Sequence, residues 1–219
     1  MSYRAQVGRL EADRDRSWVV LIIGGASGTG KTKIASRLAH HFAIGYGAID
    51  DFQVLLERMT TPEQQPAIHF WRTHADPDLL SAEEIMSHGF EVARAMTPGL
   101  EAVIADHLGT REPIVLEGDF VTPVLAAQTS FSGELNDGRV RSVFLYEPDE
   151  AQIVHNLSER EPGAGVQTKR ARVSWLQGQW LQRECRQWGL PVLPARPWPT
   201  LFERVLGAVG APLERTPDS

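Results

Sequence analysis

The strongest constraint on the fold of this chain is the glycine-rich segment at residues 25–32, which matches the pattern G-x-x-x-x-G-K-[ST]. An apolar run at 18–23 comes directly before it and is typical of a strand buried on both faces. After it, Ile34, Leu38 and Phe42 recur at helical spacing. A strand, a glycine loop and a helix in this order make a phosphate-binding loop, or P-loop. The segment therefore predicts an α/β fold that binds the phosphates of a nucleotide.

Each part of this loop has a chemical task. Glycines let main-chain N–H groups turn inward around anionic oxygens, and the N-terminus of the following helix adds a partial positive charge. Lys31 is expected to reach the β- and γ-phosphates of ATP, and the Thr32 hydroxyl to bind Mg²⁺. The residues predicted to bind the nucleotide are Gly25, Ala26, Ser27, Gly28, Thr29, Gly30, Lys31 and Thr32.

Length, charge and cysteine content narrow the partners that we expect. A chain of 219 residues is long enough for one α/β domain with a core. Its formal net charge of -6 offers no basic surface of the kind that holds nucleic acid. No apolar run reaches the roughly 18 residues that cross a bilayer, so we expect neither a nucleic-acid nor a membrane partner. The single Cys185 fits a reducing cytoplasm, which is the expected location; a homodimer is left open.

Apolar runs and helical patterns alternate along the rest of the chain. Strands are predicted at 17–24, in a short segment that ends at Asp50, and at 113–119, 140–146 and 190–194. Prolines in the last run place it at an edge of the sheet. Five strands that alternate with helices predict a parallel, doubly wound sheet in one domain spanning 1–219. Helices are predicted at 31–42, 52–59, from 81 onward, and at 150–161, 173–188 and 200–209, with a short helix or loose arm at 1–16 and a frayed tail at 211–219.

Two regions outside the sheet are expected to surround the substrates. Residues 52–110 form a helical insertion that shapes the acceptor pocket. Within it, Ser81 and Glu84 make a capping box for a long helix, which Pro98 is expected to kink or split. Residues 158–175 form a lid, because a break rich in glycine and proline lies among several cations.

The cations of this lid are predicted to close over the triphosphate and offset charge on the transferred group. Arg160 and Arg170 are the predicted catalytic members, with Lys169 and Arg172 beside them. The alternative, a solvated basic helix end, stays open for each of these residues.

Acidic residues fall at the expected carboxyl ends of the strands, where doubly wound sheets bind their ligands. Asp50 is the predicted catalytic base, which orients the acceptor hydroxyl and takes its proton. Asp51 is a second candidate for contact with the acceptor and the expected N-cap of the helix that starts at Phe52. A purely capping role for the two aspartates is the alternative.

Glu117 ends the apolar run of the third strand. It is predicted to hold Mg²⁺, directly or through water, together with Thr32. Asp119 is the reserve candidate for this role and otherwise a contact to the acceptor. A turn residue at a solvated strand end is the alternative for Glu117.

The segment 69–74 of the insertion combines aromatic and basic side chains. Arg72 is predicted to pair with a carboxylate or phosphate of the acceptor, and His74 is a further candidate contact. Trp71 is a candidate for stacking on a ring or a sugar. Packing between the insertion and the sheet is the alternative, and it is favoured for Phe70.

Three segments together resemble the P-loop small-molecule kinases: residues 24–32, Ile49-Asp50-Asp51-Phe52, and Val115-Leu116-Glu117-Gly118. The nearest resemblance is to 2-phosphoglycerate kinase-like proteins, and chloramphenicol phosphotransferase, zeta-toxin and uridine kinases are similar in the same segments. The resemblance implies a sheet of order 2-3-1-4-5, an aspartate after the second strand as base, an acid on the Mg²⁺ side and a lid with arginines. By position, these residues are Asp50, Glu117, and Arg160 or Arg170.

The residues and the resemblance predict an ATP- and Mg²⁺-dependent kinase. It would transfer the γ-phosphoryl group to a hydroxyl of a small metabolite or an antibiotic-like molecule. One alternative is a nucleoside or nucleotide kinase, in which Trp71 or Phe52 would stack on the base. Another is a nucleotide-regulated NTPase switch, which would need a water-positioning residue after the third strand, where Asp119 stands.

Overall fold

The computed structural model describes residues 16–74, 76 and 79–210. Its centre is a five-stranded parallel sheet in the order β2-β3-β1-β6-β7. The predicted arm at 1–16, apart from its last residue, and the predicted tail at 211–219 lie outside the described residues. The strands are Val20–Gly25 (β1), Gly45–Ala48 (β2), Ile114–Gly118 (β3), Ser130–Phe131 (β4), Glu134–Leu135 (β5), Val140–Tyr146 (β6) and Val192–Pro194 (β7).

The prediction of a parallel α/β sheet is confirmed, and β7 lies at its edge as expected. The predicted order 2-3-1-4-5 numbers the strands differently from the structure. The prediction left out an antiparallel hairpin, β4–β5, which comes before β6 in the chain. Ser132 and Gly133 connect this hairpin with φ angles of 44° and 95°. Positive φ at both central residues is what the type I′ two-residue hairpin turn requires.

Helices cover both faces of the sheet. The predicted capping box is present, because the Ser81 side chain accepts from the Glu84 N–H and the Glu84 carboxylate accepts from the Ser81 N–H. The long helix that follows runs through Pro98 and is not split there. Within the described residues, no helix is both long and apolar enough to cross a bilayer. The helices are Lys31–Phe42 (α1), Ile49–Met59 (α2), Pro66–Thr73 (α3), Ala82–Thr110 (α4), Pro123–Ala126 (α5), Glu150–Arg160 (α6), Thr168–Gln187 (α7) and Leu201–Gly210 (α8).

Each face of the sheet has its own apolar core, because successive residues of a strand point to opposite faces. Val20 and Ile22 of β1 belong to the core that α4 and α7 cover. Leu21 and Ile23 belong to the core on the other face, under α1 and α8. All four side chains are almost fully buried. The sheet is therefore closed above and below, and its carboxyl edge is left for ligands.

The register of the central strands brings the candidate segments together. Gly24 pairs with Gly118, and Ala48 pairs with Glu117. The P-loop, the turn after β3 and the start of α2 therefore leave the sheet side by side. A Cβ on Gly118 would lie 2.7 Å from the Cβ of Ile49, so this position must be glycine for α2 to pack closely on β3.

The predicted start of α2 is wrong. The helix begins at Ile49 rather than at Phe52, and β2 already ends at Ala48. Asp50 therefore lies in the first turn of a helix instead of at the end of a strand. Asp51 is not the N-cap, because that position is taken by Ala48 and no side chain caps the helix.

The predicted start of α7 is also wrong, because the helix begins at Thr168 rather than at Val173. Its first turns bury Ala171 and Ser174, with Gly178 one turn further on. These small residues make close packing possible but give little apolar periodicity. The predicted lid segment 158–175 is therefore largely helical, with a short 3₁₀ turn at Pro162–Ala164.

Candidate active site

The P-loop makes a left-handed turn that is held from two sides. Gly28 and Gly30 both have φ of 79°, a region that favours glycine. A Cβ on Gly30 would lie 2.5 Å from the ring of Trp198, and a Cβ on Gly28 would lie 3.2 Å from Ile153. The Asn156 side chain donates to the Gly28 carbonyl at 2.8 Å. The α6 helix and the loop around Trp198 thus fix the shape of the turn.

The ammonium of Lys31 is buried and engaged by two acceptors. It donates to the Ala26 carbonyl at 3.0 Å and forms an ion pair with the Asp119 carboxylate. Asp119 also accepts from the Ser27 hydroxyl at 2.8 Å. Binding of β- and γ-phosphates by Lys31 therefore requires its ammonium to exchange Asp119 for phosphate oxygens.

Thr32 and Glu117, the predicted Mg²⁺ pair, are in direct contact. The Thr32 hydroxyl donates to Glu117 Oε1 at 3.1 Å, and the Tyr46 hydroxyl donates to the same oxygen at 2.9 Å. Burial, followed by the hydrogen bond to Glu117, raises the pKa of Tyr46 above its usual range, so this phenol stays a donor.

Thr32 and Glu117 can supply only part of a metal ion's coordination shell, and other ligands must complete it. In the part of the chain that the structure describes, no group of three or more His, Cys, Asp or Glu side chains is arranged to hold a metal. Mg²⁺ commonly takes one or two carboxylates and completes its shell with phosphate oxygens and water. Thr32 and Glu117 beside a phosphate-binding loop fit that pattern.

Asp50 lies among other acids at the start of α2. The residue is exposed, but the protein around it desolvates its carboxyl, and Asp119, Glu117 and Asp51 repel its charge. Desolvation first and Asp119 second raise the pKa of Asp50 from 3.8 to about 6, although Lys31 acts in the opposite direction. A general base works best with a pKa near the working pH, and this environment moves Asp50 toward that value.

The predicted lid arginines are brought together by one carboxylate. Arg160 Nη2 lies 2.7 Å from Glu161 Oε1, and Arg170 Nη1 lies 2.9 Å from Glu161 Oε2. The hydrogen bonds from Arg160 and Arg170 lower the pKa of Glu161, and the bond from Arg160 has the larger effect. Arg172 pairs with Glu150 at 3.0 Å. The carboxylates that pair with these arginines, Glu161 and Glu150, thus lie in the lid or in the helix that leads into it. Contact of the arginines with a phosphate stays a prediction.

The two candidates in the insertion make local contacts. Arg72 Nε lies 3.5 Å from Glu57 Oε1. His74 stacks on Phe70 with ring centres 4.6 Å apart, and Phe70 also stacks on His88 at 3.5 Å. Arg72 and His74 therefore have partners within the insertion, and their contact with an acceptor stays a prediction.

A cavity of about 620 Å³ lies next to the P-loop, between α4, α7 and the turn after β3. Ser27 and Asp119 form part of its wall, so it is continuous with the surroundings of Lys31. The candidates Trp71 and Arg170 line it as well. The size is within the usual range for a pocket that holds a small molecule.

Two features beside the P-loop were not predicted. Trp198 packs its ring against Gly30. Arg196 donates through Nε and Nη2 to the two carboxylate oxygens of Glu147, at 2.8 and 2.7 Å. Glu147 is almost fully buried after β6. Its position at a strand end was visible in the sequence, but no local pattern indicates the distant arginine that pairs with it.

No family model matches the chain, and no curated protein matches it significantly. Solved structures do. A sugar kinase from Janibacter sp. HTCC2649 is 18% identical, with a TM-score of 0.53 over 88% of this chain and 94% of that one. A shikimate kinase from Acinetobacter baumannii, in complex with shikimate, is 15% identical, with a TM-score of 0.52 over 89% of this chain and 94% of that one. A gluconokinase from Sinorhizobium meliloti 1021 is 16% identical, with a TM-score of 0.49 over 88% and 91% of the two chains.

At these identities the likeness concerns the fold. Of the three structures named here, the two with TM-scores above 0.5 are a sugar kinase and a shikimate kinase, and both are covered almost completely. The P-loop motif at residues 25–32 stands between the first strand and helix of the sheet that they share with this chain. The chain therefore shares an α/β fold with this sugar kinase and this shikimate kinase.

Proposed function

We propose that this protein is an ATP- and Mg²⁺-dependent kinase that phosphorylates a hydroxyl of a small molecule. The observation that carries the proposal is a single constellation at the carboxyl edge of the sheet. There, the P-loop lysine, Lys31, pairs with Asp119, and both residues lie close enough to Asp50 to shift its pKa, as does Glu117. Asp119 also forms part of the wall of a ligand-sized cavity. The shared fold supports the reaction class, and the resemblance to 2-phosphoglycerate kinases rests on sequence segments alone.

In this proposal, the chain's own residues position the reacting groups. Lys31 and the amides of the loop bind the β- and γ-phosphates of ATP. Thr32 and Glu117 hold Mg²⁺, which when bound offsets the negative charge of the phosphates. The acceptor oxygen forms a bond to the γ-phosphorus, the bond from that phosphorus to the β,γ-bridging oxygen breaks, and ADP leaves with the electron pair.

The proton of the acceptor hydroxyl passes to a carboxylate. We assign this role to Asp50, because its environment brings its pKa to about 6, close to neutral pH. Asp119 is the second candidate, because it lines the cavity next to the P-loop. Arg160 and Arg170 are proposed to offset charge on the transferred group, which requires them to exchange Glu161 for phosphate.

The two alternative functions differ in what they need from the site. A nucleoside or nucleotide kinase needs an aromatic ring that stacks on the base of its acceptor. Trp71 lines the cavity and could do so, whereas Phe52 packs against the core under α4. A switch needs a residue free to position water after β3, but Asp119 is engaged by Lys31 and Ser27. The kinase therefore suits the site better. We also propose a cytoplasmic protein that acts on a small molecule rather than on nucleic acid or a membrane.

The proposal is tested by measuring ADP release from ATP and Mg²⁺ with and without candidate acceptors. A kinase should release ADP much faster with its acceptor and should form a phosphorylated product in equal amount. Acceleration by a protein partner, without a phosphorylated small molecule, would favour the switch. Failure of calorimetry to detect any nucleoside triphosphate binding in the presence of Mg²⁺ would overturn the proposal altogether.

A further inference from the structure

The walls of the cavity beside Asp119 have a chemistry that points to the kind of acceptor. The α4 wall consists of Ile85, Met86, Gly89, Phe90 and Ala93, all without charge and without a polar side-chain hydrogen-bonding group. These positions recur at the spacing of one helix face. A ligand that lies against this wall therefore meets methyl, methylene, thioether and aromatic groups.

Aromatic rings also line the cavity on its other sides, among polar side chains such as Thr122 and Gln177. Trp180 of α7 packs on Phe90, with ring centres 4.4 Å apart and planes tilted by 49°. Phe120, directly after Asp119, and Trp71 of α3 also line the space. Each of these rings leaves part of its surface accessible. Rings with free faces and edges favour a flat apolar body between them.

The charged side chains that line the cavity lie away from the α4 wall. Among the described residues they are Asp119, Lys169 and Arg170. Asp119 lies beside the P-loop, and Arg170 is held by Glu161. Along α7, Arg170, Val173, Gln177 and Trp180 follow one another on the cavity side, so the helix passes from charged to aromatic over about 15 Å. The end near Trp180 is therefore the apolar one.

The space over Gly89 is open. A Cβ added at this helical position meets no atom within 4 Å. Glycine inside a helix is less favourable than alanine, so the absent side chain has no structural benefit within the helix itself. Its consequence here is additional space in the cavity that Gly89 lines.

We infer that the acceptor is a neutral alcohol with an aromatic ring, rather than a polyhydroxylated acid or sugar; this inference rests on the proposed function. Its ring lies between the α4 wall and Trp180, and its hydroxyl faces Asp119 and Ser27. Asp119 pairs with the P-loop lysine and accepts from the Ser27 hydroxyl. Burial of the ring is favourable by the apolar area that it removes from water. A sugar acid in the same place would lose hydrogen bonds to water without finding partners on α4.

The first test is binding to the full-length protein, measured by calorimetry. The probes are 2-naphthylmethanol and benzyl alcohol on one side and gluconate, shikimate and glycerate on the other. Two variants form a matched pair. Gly89→Leu fills the open space in the cavity, and Gly99→Leu makes the same change on the same helix, at an exposed position that also has no atom within 4 Å and does not line the cavity.

We expect the aryl alcohols to bind and the three acids not to. Gly89→Leu should weaken aryl-alcohol binding by about 10-fold or more, the size of effect that a misfitting side chain has in an apolar pocket, and Gly99→Leu should leave it unchanged. If Gly89→Leu fails to fold, Met86→Gln changes the polarity of the wall at nearly constant shape and should have the same effect. The inference would be overturned if the protein bound the acids in preference to the aryl alcohols, or if the Gly89→Leu variant bound the aryl alcohols as tightly as the wild type.

The second test is ADP release with the same probes, which separates the inference from the proposed function. A rate of ADP release that rises with the aryl alcohols supports both the inference and the kinase function. Release that rises only with the acids overturns the inference and leaves the kinase standing. Binding of the aryl alcohols without ADP release from any probe rejects them as acceptors and counts against the kinase, while the ligand class of the cavity stands.

Discussion

The Asp119 carboxylate forms an ion pair with the Lys31 ammonium, the group that the P-loop uses for the β- and γ-phosphates. The same carboxylate accepts from the Ser27 hydroxyl and forms part of the cavity wall. Asp119 thus connects the P-loop with the cavity that we propose to hold the acceptor. Its position also makes it a competitor of the nucleotide for Lys31.

This competition predicts the effect of Asp119→Asn on ATP affinity. The variant removes one negative charge beside the phosphates and frees Lys31 from its carboxylate partner, so we expect ATP to bind about two- to fivefold more tightly, the scale of a partly exposed ion pair. Calorimetry with Mg²⁺ and ATP measures the change. Asp106→Asn, on the exposed side of α4, is the control for the loss of one charge. Weaker ATP binding by Asp119→Asn alone would contradict the prediction.

Lys31→Ala should abolish phosphoryl transfer and keep the fold. The ammonium is the buried cation of the loop, and loss of one such stabilising group commonly lowers turnover about 100-fold or more. Turnover is followed as acceptor-dependent ADP release, and circular dichroism with thermal unfolding checks that the fold persists. The double variant Lys31→Ala/Asp119→Asn is the control for stability only, because it also removes the carboxylate that loses its ion-pair partner in Lys31→Ala. Activity near the wild-type level in Lys31→Ala would exclude the assigned role.

The P-loop could be predicted from the sequence because all its determinants are local. Residues 25–32 carry the glycines, the lysine and the threonine in one stretch, between a buried strand and a helix. Glu117 was also placed correctly at the end of a strand, and its contact with Thr32 fits the role proposed for the two residues. Strands buried on both faces are simple to recognise, because their apolar runs are uninterrupted.

The parts that the sequence did not reveal depend on contacts between distant segments. The start of α2 at Ile49 follows from its packing on Gly118 of β3, and the start of α7 follows from burial of small residues such as Ala171. The Lys31–Asp119 pair requires the register of β1 and β3. The β4–β5 hairpin does have a local signal, the Ser132-Gly133 dipeptide of its turn, but its strands of two residues each are too short to show an apolar pattern.

Glu117→Gln should increase the Mg²⁺ requirement of the reaction. The substitution keeps the size of the side chain and its contacts to Thr32 and Tyr46, but it removes the negative charge that Mg²⁺ prefers. We expect the Mg²⁺ concentration for half-maximal ADP release to rise by about 10-fold or more. In Tyr46→Phe, which removes a donor to Glu117 and keeps the carboxylate, the rise should be much smaller. Identical Mg²⁺ dependence in Glu117→Gln and the wild type would argue against the metal role.

The pKa of Asp50 predicts how turnover depends on pH. The base must be deprotonated to take a proton, and its pKa is raised to about 6. Acceptor-dependent ADP release should therefore be low at pH 5, rise through pH 6 and reach a plateau above pH 7. Asp50→Asn should bind ATP as the wild type does and lose turnover by about 100-fold or more. If Asp50→Asn keeps the pH profile and Asp119→Asn loses it, Asp119 is the base instead.

The same raised pKa predicts a change in stability with a definite sign. Below pH 3.8 the Asp50 carboxyl is protonated in both the folded and the unfolded chain, and Asp50→Asn should have little effect. As the pH rises toward about 6, the folded protein binds the proton more strongly than the unfolded chain, so its free energy of unfolding falls with pH. At pH 8 the folded state holds a charge that its surroundings disfavour.

Asp50→Asn should therefore raise the midpoint of thermal unfolding at pH 8 and should raise it less, or not at all, at pH 4. Asp106→Asn removes an equal charge from an exposed helical position and should show no such difference between the two pH values. Scanning calorimetry of both variants and the wild type measures the effect. A gain in stability that is larger at pH 4 than at pH 8 would mean that Asp50 is stabilised in its charged form, which is opposite to what desolvation and repulsion from Asp119 require.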